Sequence, residues 1–106
     1  MQFLIVTKPT NPPPPEIIAP LLDAMSAWLA RGREDGTLSA AWSFAGTQGG
    51  GGIAEVDSHE RLDEVMAGFP FAPFSSIEVY ALADLDQSLA ANRAVMEQMM
   101  SMMGSA

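Results

Sequence analysis

A carboxylate and a phenol in one predicted strand are the side chains of this sequence best suited to proton transfer. In the strand predicted for Ile77–Leu82, alternation puts Glu78 and Tyr80 on the same face. The same alternation in the strand predicted for Ile53–Val56 places Glu55 on the corresponding face. A carboxylate in a pocket can act as a base on a C–H group, and a phenol can donate a hydrogen bond to a developing enolate. We therefore predict Glu78, Tyr80 and Glu55 as catalytic residues.

Apolar side chains are predicted to enclose these groups in a cavity. Alternation in the first strand directs Leu4, Val6 and Lys8 to the face that carries Glu78. The predicted substrate-binding walls are Leu4, Val6, Ile53, Trp28, Trp42 and Phe74. The alternative is that the carboxylates are solvated or pair with Lys8 at the rim, because ordinary ion pairs and catalytic groups look alike in a sequence.

The composition argues against several kinds of function. With 13 acidic and 5 basic residues, the net charge of −8 disfavours binding to nucleic acid or to an anionic membrane surface. One His and no Cys cannot make an ordinary zinc site, so no metal is predicted. No stretch approaches the ~20 apolar residues of a membrane span. The N-terminal MQFLIV lacks the basic flank of a signal peptide, and we expect a cytoplasmic protein.

Hydrophobic periodicity predicts the elements that must position these residues. Three helices are predicted: Ile18–Arg33, a second helix that starts after the caps Asp57 and Ser58, and Asp84–Met103. Four strands are predicted: Gln2–Lys8, Leu38–Thr47, Ile53–Val56 and Ile77–Leu82.

The predicted hairpin joins the second and third strands. Alternation places Leu38, Ala40, Trp42 and Phe44 on one face of the first of these strands. The glycine-rich QGGGG run that follows is predicted to be a turn.

The order β-α-β-β-α-β predicts an α+β fold of the ferredoxin-like type, with helices on one face of an antiparallel sheet. Residues 1–83 form this domain. Pairing the uncovered faces of two copies would close a dimeric α+β barrel around an internal cavity. The composition, 48% hydrophobic and only 17% charged, also favours a homodimer or a larger homo-oligomer.

Residues 84–106 are predicted as an extra, Met-rich C-terminal helix. Its seam residues are spaced 4, 3, 4, 3 and 4 apart, as in a coiled coil with one polar position. They are Leu85, Leu89, Asn92, Met96, Met99 and Met103. Such a helix can lie on its own domain or on a neighbouring subunit, and we predict the second arrangement.

Two segments of the sequence resemble the muconolactone isomerase-like family. They are DGTLSAAWSFAG (Asp35–Gly46) and IAEVDSHERLDEVMAGFPFAPFSSIEV (Ile53–Val79), together with the spacing between them. The shared features are a Gly-Thr turn, a Trp-containing strand that ends in Ala-Gly, and a strand–helix–Pro-x-x-Pro–strand run. The resemblance covers about half of the chain.

The resemblance implies a homo-oligomeric barrel with a small-molecule pocket and no cofactor. The aromatic loop Gly68–Phe74 is then expected at the lip of the cavity and in the subunit contact. The expected function is a cofactor-free isomerase or cyclase acting on a small, mostly apolar organic molecule. A cofactor-free monooxygenase is a variant. A non-catalytic ligand-binding or assembly protein is the alternative, and it is supported by Ala24, Met25 and Ser26, which stand where the family pattern carries charged residues.

Overall fold

Strands and helices follow one another along the chain in the predicted order. This computed structural model describes residues 1–104. Ser105 and Ala106, the end of the predicted C-terminal segment 84–106, lie outside the described residues. The described elements are β1 (Gln2–Pro9), α1 (Ile18–Glu34), β2 (Leu38–Ser43), β3 (Gly50–Glu55), α2 (His59–Ala67), β4 (Ser75–Leu82) and α3 (Leu85–Gly104). The strands form one antiparallel sheet in the order β2-β3-β1-β4, which confirms the predicted ferredoxin-like α+β fold.

One face of the sheet forms the hydrophobic core with α1 and α2. Phe3 and Ile5 of β1 are buried on this face, as is Ala54 of β3, which pairs with Phe3. Val56 and Leu62 complete the buried cluster. Every second residue of a strand lies on the same face of the sheet, together with its partners on the neighbouring strands. The apolar residues of β1 and β3 therefore determine which face the helices cover.

Local contacts fix the positions of α1 and α2. The Ser58 hydroxyl caps α2 by accepting a hydrogen bond from the backbone N–H of Arg61 at 3.0 Å. Gly68 follows α2 as its C-cap, as its place in the sequence predicts. Near the end of α1, a Cβ atom on Gly32 would lie 2.5 Å from Leu38 Cδ1. Glycine at this position therefore lets α1 approach β2 closely.

A bulge changes the predicted facing of β2. Leu38 pairs with Ala54, whereas Ala40 pairs with Ile53, so the register shifts by one residue between them. Leu38 is consequently buried under the helices, and Trp42 lies on the opposite face. The prediction that these two side chains share a face was wrong, because the extra residue in β2 interrupts the alternation.

The glycine run contributes to a strand as well as to a turn. β3 begins at Gly50, and its three glycines pair with β1 on one side and with β2 on the other. The prediction that the run is only a turn was therefore wrong. Glycine has a low strand propensity, but pairing on both sides of β3 overrides it.

The second face of the sheet, which we call the open face, lies away from α1 and α2. Strand register assigns to it the side chains of Leu4, Val6, Trp42, Ile53, Glu55, Glu78, Tyr80 and Leu82. Trp42, Tyr80 and Leu82 are exposed there.

The C-terminal helix α3 projects from the rest of the protein. None of its residues is buried, and the whole molecule extends over 71 × 29 × 23 Å. A helix of 20 residues is about 30 Å long, so α3 accounts for much of this length. Among residues 1–104, no helix is both long and apolar enough to cross a membrane.

Candidate functional site

A cavity of about 540 Å³ lies between the sheet and the two helices α1 and α2. We call it the helix-side cavity. α1 contributes Met25, Trp28 and Leu29 to its wall, and β1 contributes Ile5 and Thr7. Further wall residues come from α2, from the loop that follows it and from the hairpin: Met66, Phe69, Phe71, Leu38, Ala41, Ser43 and Gly50.

Aromatic contacts hold one wall of this cavity in place. The Trp28 indole Nε1 donates a hydrogen bond to the backbone carbonyl of Val65 at 3.1 Å. The Trp28 ring packs on buried Phe69 with centroids 5.3 Å apart, and Phe69 in turn contacts Phe71 at 6.4 Å. The aromatic loop thus packs against α1 and lines the helix-side cavity, which explains its unusual content of Phe.

The glycines of β3 leave room on the sheet side of the cavity. Gly50 and Gly52 pair with Thr7 and Ile5, so they face the helices on the same side as these residues. Neither carries a side chain that would fill the space below α1. Gly49, just before the strand, has a φ of 110°, a conformation that favours glycine.

Few polar groups reach this cavity. The Thr7 hydroxyl donates to the Gly50 carbonyl at 3.3 Å, and Ser43 and Ser75 add two more hydroxyls to the lining. Arg33, in the last turn of α1, is the charged residue of the described lining. No Asp, Glu, His, Lys or Tyr side chain among residues 1–104 lines the cavity. The cavity can therefore hold an apolar molecule and stabilise negative charge, but it contains no conventional base.

The acidic and phenolic residues predicted from sequence lie on the open face. The Tyr80 hydroxyl donates a hydrogen bond to Glu78 Oε2 at 2.5 Å. This hydrogen bond, together with repulsion between the phenolate and the Glu78 carboxylate, raises the pKa of Tyr80 above its usual value. Tyr80 therefore stays protonated at neutral pH and can act as a hydrogen-bond donor.

Strand register brings other predicted residues close to this pair. Val6 lies beside Glu78 and Leu4 beside Tyr80, and Ile53 pairs with Leu4 from the other side. Glu55 accepts a hydrogen bond from Gln2 Nε2 at 2.6 Å.

The remaining predicted wall residues do not share one face. Trp28 lines the helix-side cavity, and Trp42 borders it while pairing with Gly51 on the open face. Phe74 is half-buried at the end of the aromatic loop, where its carbonyl accepts from the Thr10 N–H at 2.9 Å. Lys8 forms no ion pair with Glu55 or Glu78 within residues 1–104.

Other polar residues have structural roles. Asp35 accepts hydrogen bonds from the backbone N–H and the hydroxyl of Thr37, and these bonds, with Arg61 nearby, lower the pKa of its carboxyl. The His59 ring packs edge-on against Phe3 at the start of α2. No cluster of three or more His, Asp or Glu residues suited to a metal ion occurs in the described part of the chain.

The fold and the cavity define a ferredoxin-like α+β protein with a pocket of small-molecule size. A family model described as Muconolactone delta-isomerase matches residues 1–88, so the chain belongs to this family, as the sequence resemblance predicts. No curated protein matches the chain significantly.

Several solved structures match this chain, and two of them show the shared fold. A muconolactone isomerase crystal structure superposes with a TM-score of 0.73 at 24% identity, covering 79% of this chain and 90% of its own. A 5-chloro-2-hydroxyhydroquinone dehydrochlorinase from Burkholderia phenoliruptrix, in complex with 2,5-dihydroxybenzoquinone, gives a TM-score of 0.59 at 19% identity. That match covers 82% of this chain and 98% of the dehydrochlorinase.

Proposed function

We propose that this protein is a small-molecule enzyme of the isomerase or cyclase type that works without a cofactor and binds its substrate in the helix-side cavity. The cavity is the observation that carries the proposal. Its volume of about 540 Å³ falls within the range of ligand pockets, and its walls are mainly aromatic and aliphatic. The two structural neighbours are named for a lactone and for a chlorinated hydroquinone. A small, mostly apolar organic molecule of comparable size suits this cavity.

The lining determines what the cavity can contribute to a reaction. Arg33 and the hydroxyls of Thr7, Ser43 and Ser75 could stabilise an oxygen on which negative charge develops. An isomerisation by proton transfer also needs a base, and the described lining contains no carboxylate or imidazole. This absence favours non-catalytic ligand binding as the alternative use of the cavity.

A second candidate site for proton transfer is the open face, and the Glu78–Tyr80 pair favours it. In this reaction Glu78 would take a proton from a C–H group of the substrate. Tyr80 would donate a hydrogen bond to the oxygen of the resulting enolate, and the proton would return to another carbon. Glu55 would be a second carboxylate, while Leu4, Val6 and Ile53 would form the apolar surroundings.

The open-face reaction requires a second protomer, because Glu78 and Tyr80 are exposed in the single chain. We propose that two copies pair through their open faces and enclose an interior cavity. Support comes from the exposed fractions of 42% for Trp42, 50% for Tyr80 and 42% for Leu82. Large apolar side chains grouped on one face are typical of a surface that a partner covers.

Two adjacent residues of β1 allow the candidate sites to be separated. Thr7 lines the helix-side cavity and Val6 lies on the open face, and both are half-buried. We would measure binding of a co-purified ligand, or of an apolar fluorescent probe, to Thr7→Phe and to Val6→Phe. Because Phe at position 7 fills the cavity, Thr7→Phe should lower the affinity by about tenfold or more, equivalent to ~1.4 kcal/mol. Val6→Phe should change it by less than about threefold.

A loss of ligand affinity in Val6→Phe but not in Thr7→Phe would assign the ligand site to the open face. Thermal melts of both variants show whether each one folds, and Ala41→Val offers a milder way to reduce the cavity volume. If neither face binds a small molecule, the proposed function is wrong.

A further inference from the structure

We infer that α3 forms a parallel, in-register helix pair with α3 of a second copy of this chain. The contact surface is the α3 seam, formed by Leu85, Leu89, Asn92, Met96, Met99 and Met103. It is separate from the open face of the sheet and does not depend on whether the protein binds a ligand.

The exposure of the seam indicates that a partner covers it. Its five apolar side chains are between 53% and 77% exposed, and no residue of α3 is buried. A helix of 20 residues draws most of its stability in a protein from packing of its apolar face. Residues 1–104 of the same chain do not supply that packing.

The family relationship does not account for this helix. The match to the family model ends at residue 88, just inside α3, and the helix continues to Gly104. Five of the six seam residues, from Leu89 to Met103, lie beyond the matched region. The seam is therefore a feature of this chain, added to the fold that its relatives share.

Charge favours a second copy as the occupant. The whole chain carries 13 acidic and 5 basic residues, so a contact between two copies is most favourable where few of these charges meet. α3 is nearly neutral, with Asp86 and Glu97 against Arg93, and Arg93 Nε already pairs with Glu97 at 3.0 Å. None of the seam residues is charged, so two copies of α3 can meet without repulsion between like charges.

Asn92 selects the parallel arrangement. In a parallel, in-register pair each seam residue faces its own counterpart, so the two Asn92 amides can hydrogen-bond to one another. In an antiparallel pair centred on the seam, Asn92 would face Met96, and its amide would be buried without a partner. Burying the Asn92 amide opposite a second amide costs less than burying it opposite Met96, so the parallel register is the favoured one.

Cysteine cross-linking tests this inference directly, because the native chain has no Cys. Asn92→Cys places a thiol in the seam, and Ala94→Cys places one on the opposite side of α3 as a matched control. Under mild oxidation of the full-length protein, Asn92→Cys should form covalent dimers at least about tenfold faster than Ala94→Cys. Equal rates for the two variants would overturn the proposal.

A mixture of two further variants tests the direction of pairing. Leu85→Cys and Met103→Cys lie at opposite ends of the seam. In a parallel pair each should cross-link to itself, whereas preferential formation of the mixed dimer would show antiparallel pairing and contradict the inference.

A charge substitution provides a readout without cross-linking. Met96→Glu places like charges opposite each other in the pair, and Gln98→Glu adds the same charge outside the seam. The dissociation constant of the assembly, measured by light scattering across a dilution series, should rise at least about tenfold for Met96→Glu and less than about threefold for Gln98→Glu. An unchanged constant for Met96→Glu would exclude the seam as the contact, and another protein or an apolar surface would then be its occupant.

Discussion

The two faces of the sheet differ in what covers them and in the chemistry they carry. The helix-covered face has an apolar cavity whose described lining holds one charged residue, Arg33. The open face carries Glu55, Glu78 and Tyr80. The face that can enclose a ligand within one protomer thus lacks a base, and the face that offers a base is not enclosed. The two faces are therefore alternative sites, because a base must lie within hydrogen-bond reach of the proton that it takes from a bound substrate.

The largest expected effect concerns stability and distinguishes a covered face from an exposed one. Phe3 is buried against α2, so Phe3→Ala should cost about 3–5 kcal/mol of the free energy of unfolding. Leu82 on the open face is 42% exposed, and Leu82→Ala should cost less than about 1 kcal/mol in a dilute sample. Urea unfolding measures both values. If the cost of Leu82→Ala grows with protein concentration, a second copy covers the open face.

The next prediction concerns catalysis on the open face. If the reaction takes place on the open face, Glu78→Gln, which keeps the size of the side chain and removes the base, should lower turnover by at least about a hundredfold. Ligand affinity should change by only a few fold. Glu55→Gln, whose carboxylate is already bonded to Gln2, is the matched control and should have a smaller effect. Turnover within about threefold of wild type for Glu78→Gln would assign the chemistry to the helix-side cavity.

A smaller effect on stability distinguishes the two Trp residues. Trp28→Phe keeps an aromatic ring beside Phe69 but loses the hydrogen bond from Nε1 to Val65. It should cost about 1 kcal/mol of the free energy of unfolding. Trp42 Nε1 has no hydrogen bond among the described residues, so Trp42→Phe should stay within about 0.5 kcal/mol. Equal costs would mean that the Val65 bond does not fix the cavity wall.

The smallest effect is a change in one titration. The chain has one Tyr, so ultraviolet absorbance reports the pKa of Tyr80 without interference from another phenol. That pKa should lie above 10.0 in the native protein and return towards it in Glu78→Gln. Because the pKa of Tyr80 is higher in the folded than in the unfolded protein, the interaction with Glu78 stabilises the fold fully below pH 10. This stabilisation is lost as the pH rises through the pKa of the folded protein. An unchanged pKa in Glu78→Gln would show that the two side chains do not interact in solution.

Much of the fold follows from local patterns in the sequence. Ser58 and Gly68 are residue types typical of helix caps, and they are the N-cap and the C-cap of α2. Alternation in β1 and β4 correctly assigned Leu4, Val6, Glu78 and Tyr80 to one face, because neither strand contains a bulge. Periodicity within a single strand is enough for assignments of this kind.

The helix-side cavity could not be predicted in the same way. Its floor depends on Gly50 and Gly52 being paired between two strands, and the tendency of a glycine run to form a turn conceals that pairing. Its far wall depends on Phe69 packing on Trp28 of α1, which brings the aromatic loop against a helix far away in the sequence. Both features arise from contacts between segments distant in sequence. The sequence feature that indicates the helix-side cavity is the combination of small residues in β3 with aromatic residues after α2.

The bulge between Leu38 and Ala40 makes the size of the cavity depend on the length of one strand. With the extra residue, β2 sends Leu38 into the core and turns Trp42 outward. Inserting one residue between Ala41 and Trp42 would move Trp42 opposite Gly50, on the helix-covered face, where its indole would occupy space now open to a ligand. A one-residue insertion in this hairpin could therefore switch a member of the fold from a pocketed to a filled form without any substitution in the residues that line the pocket.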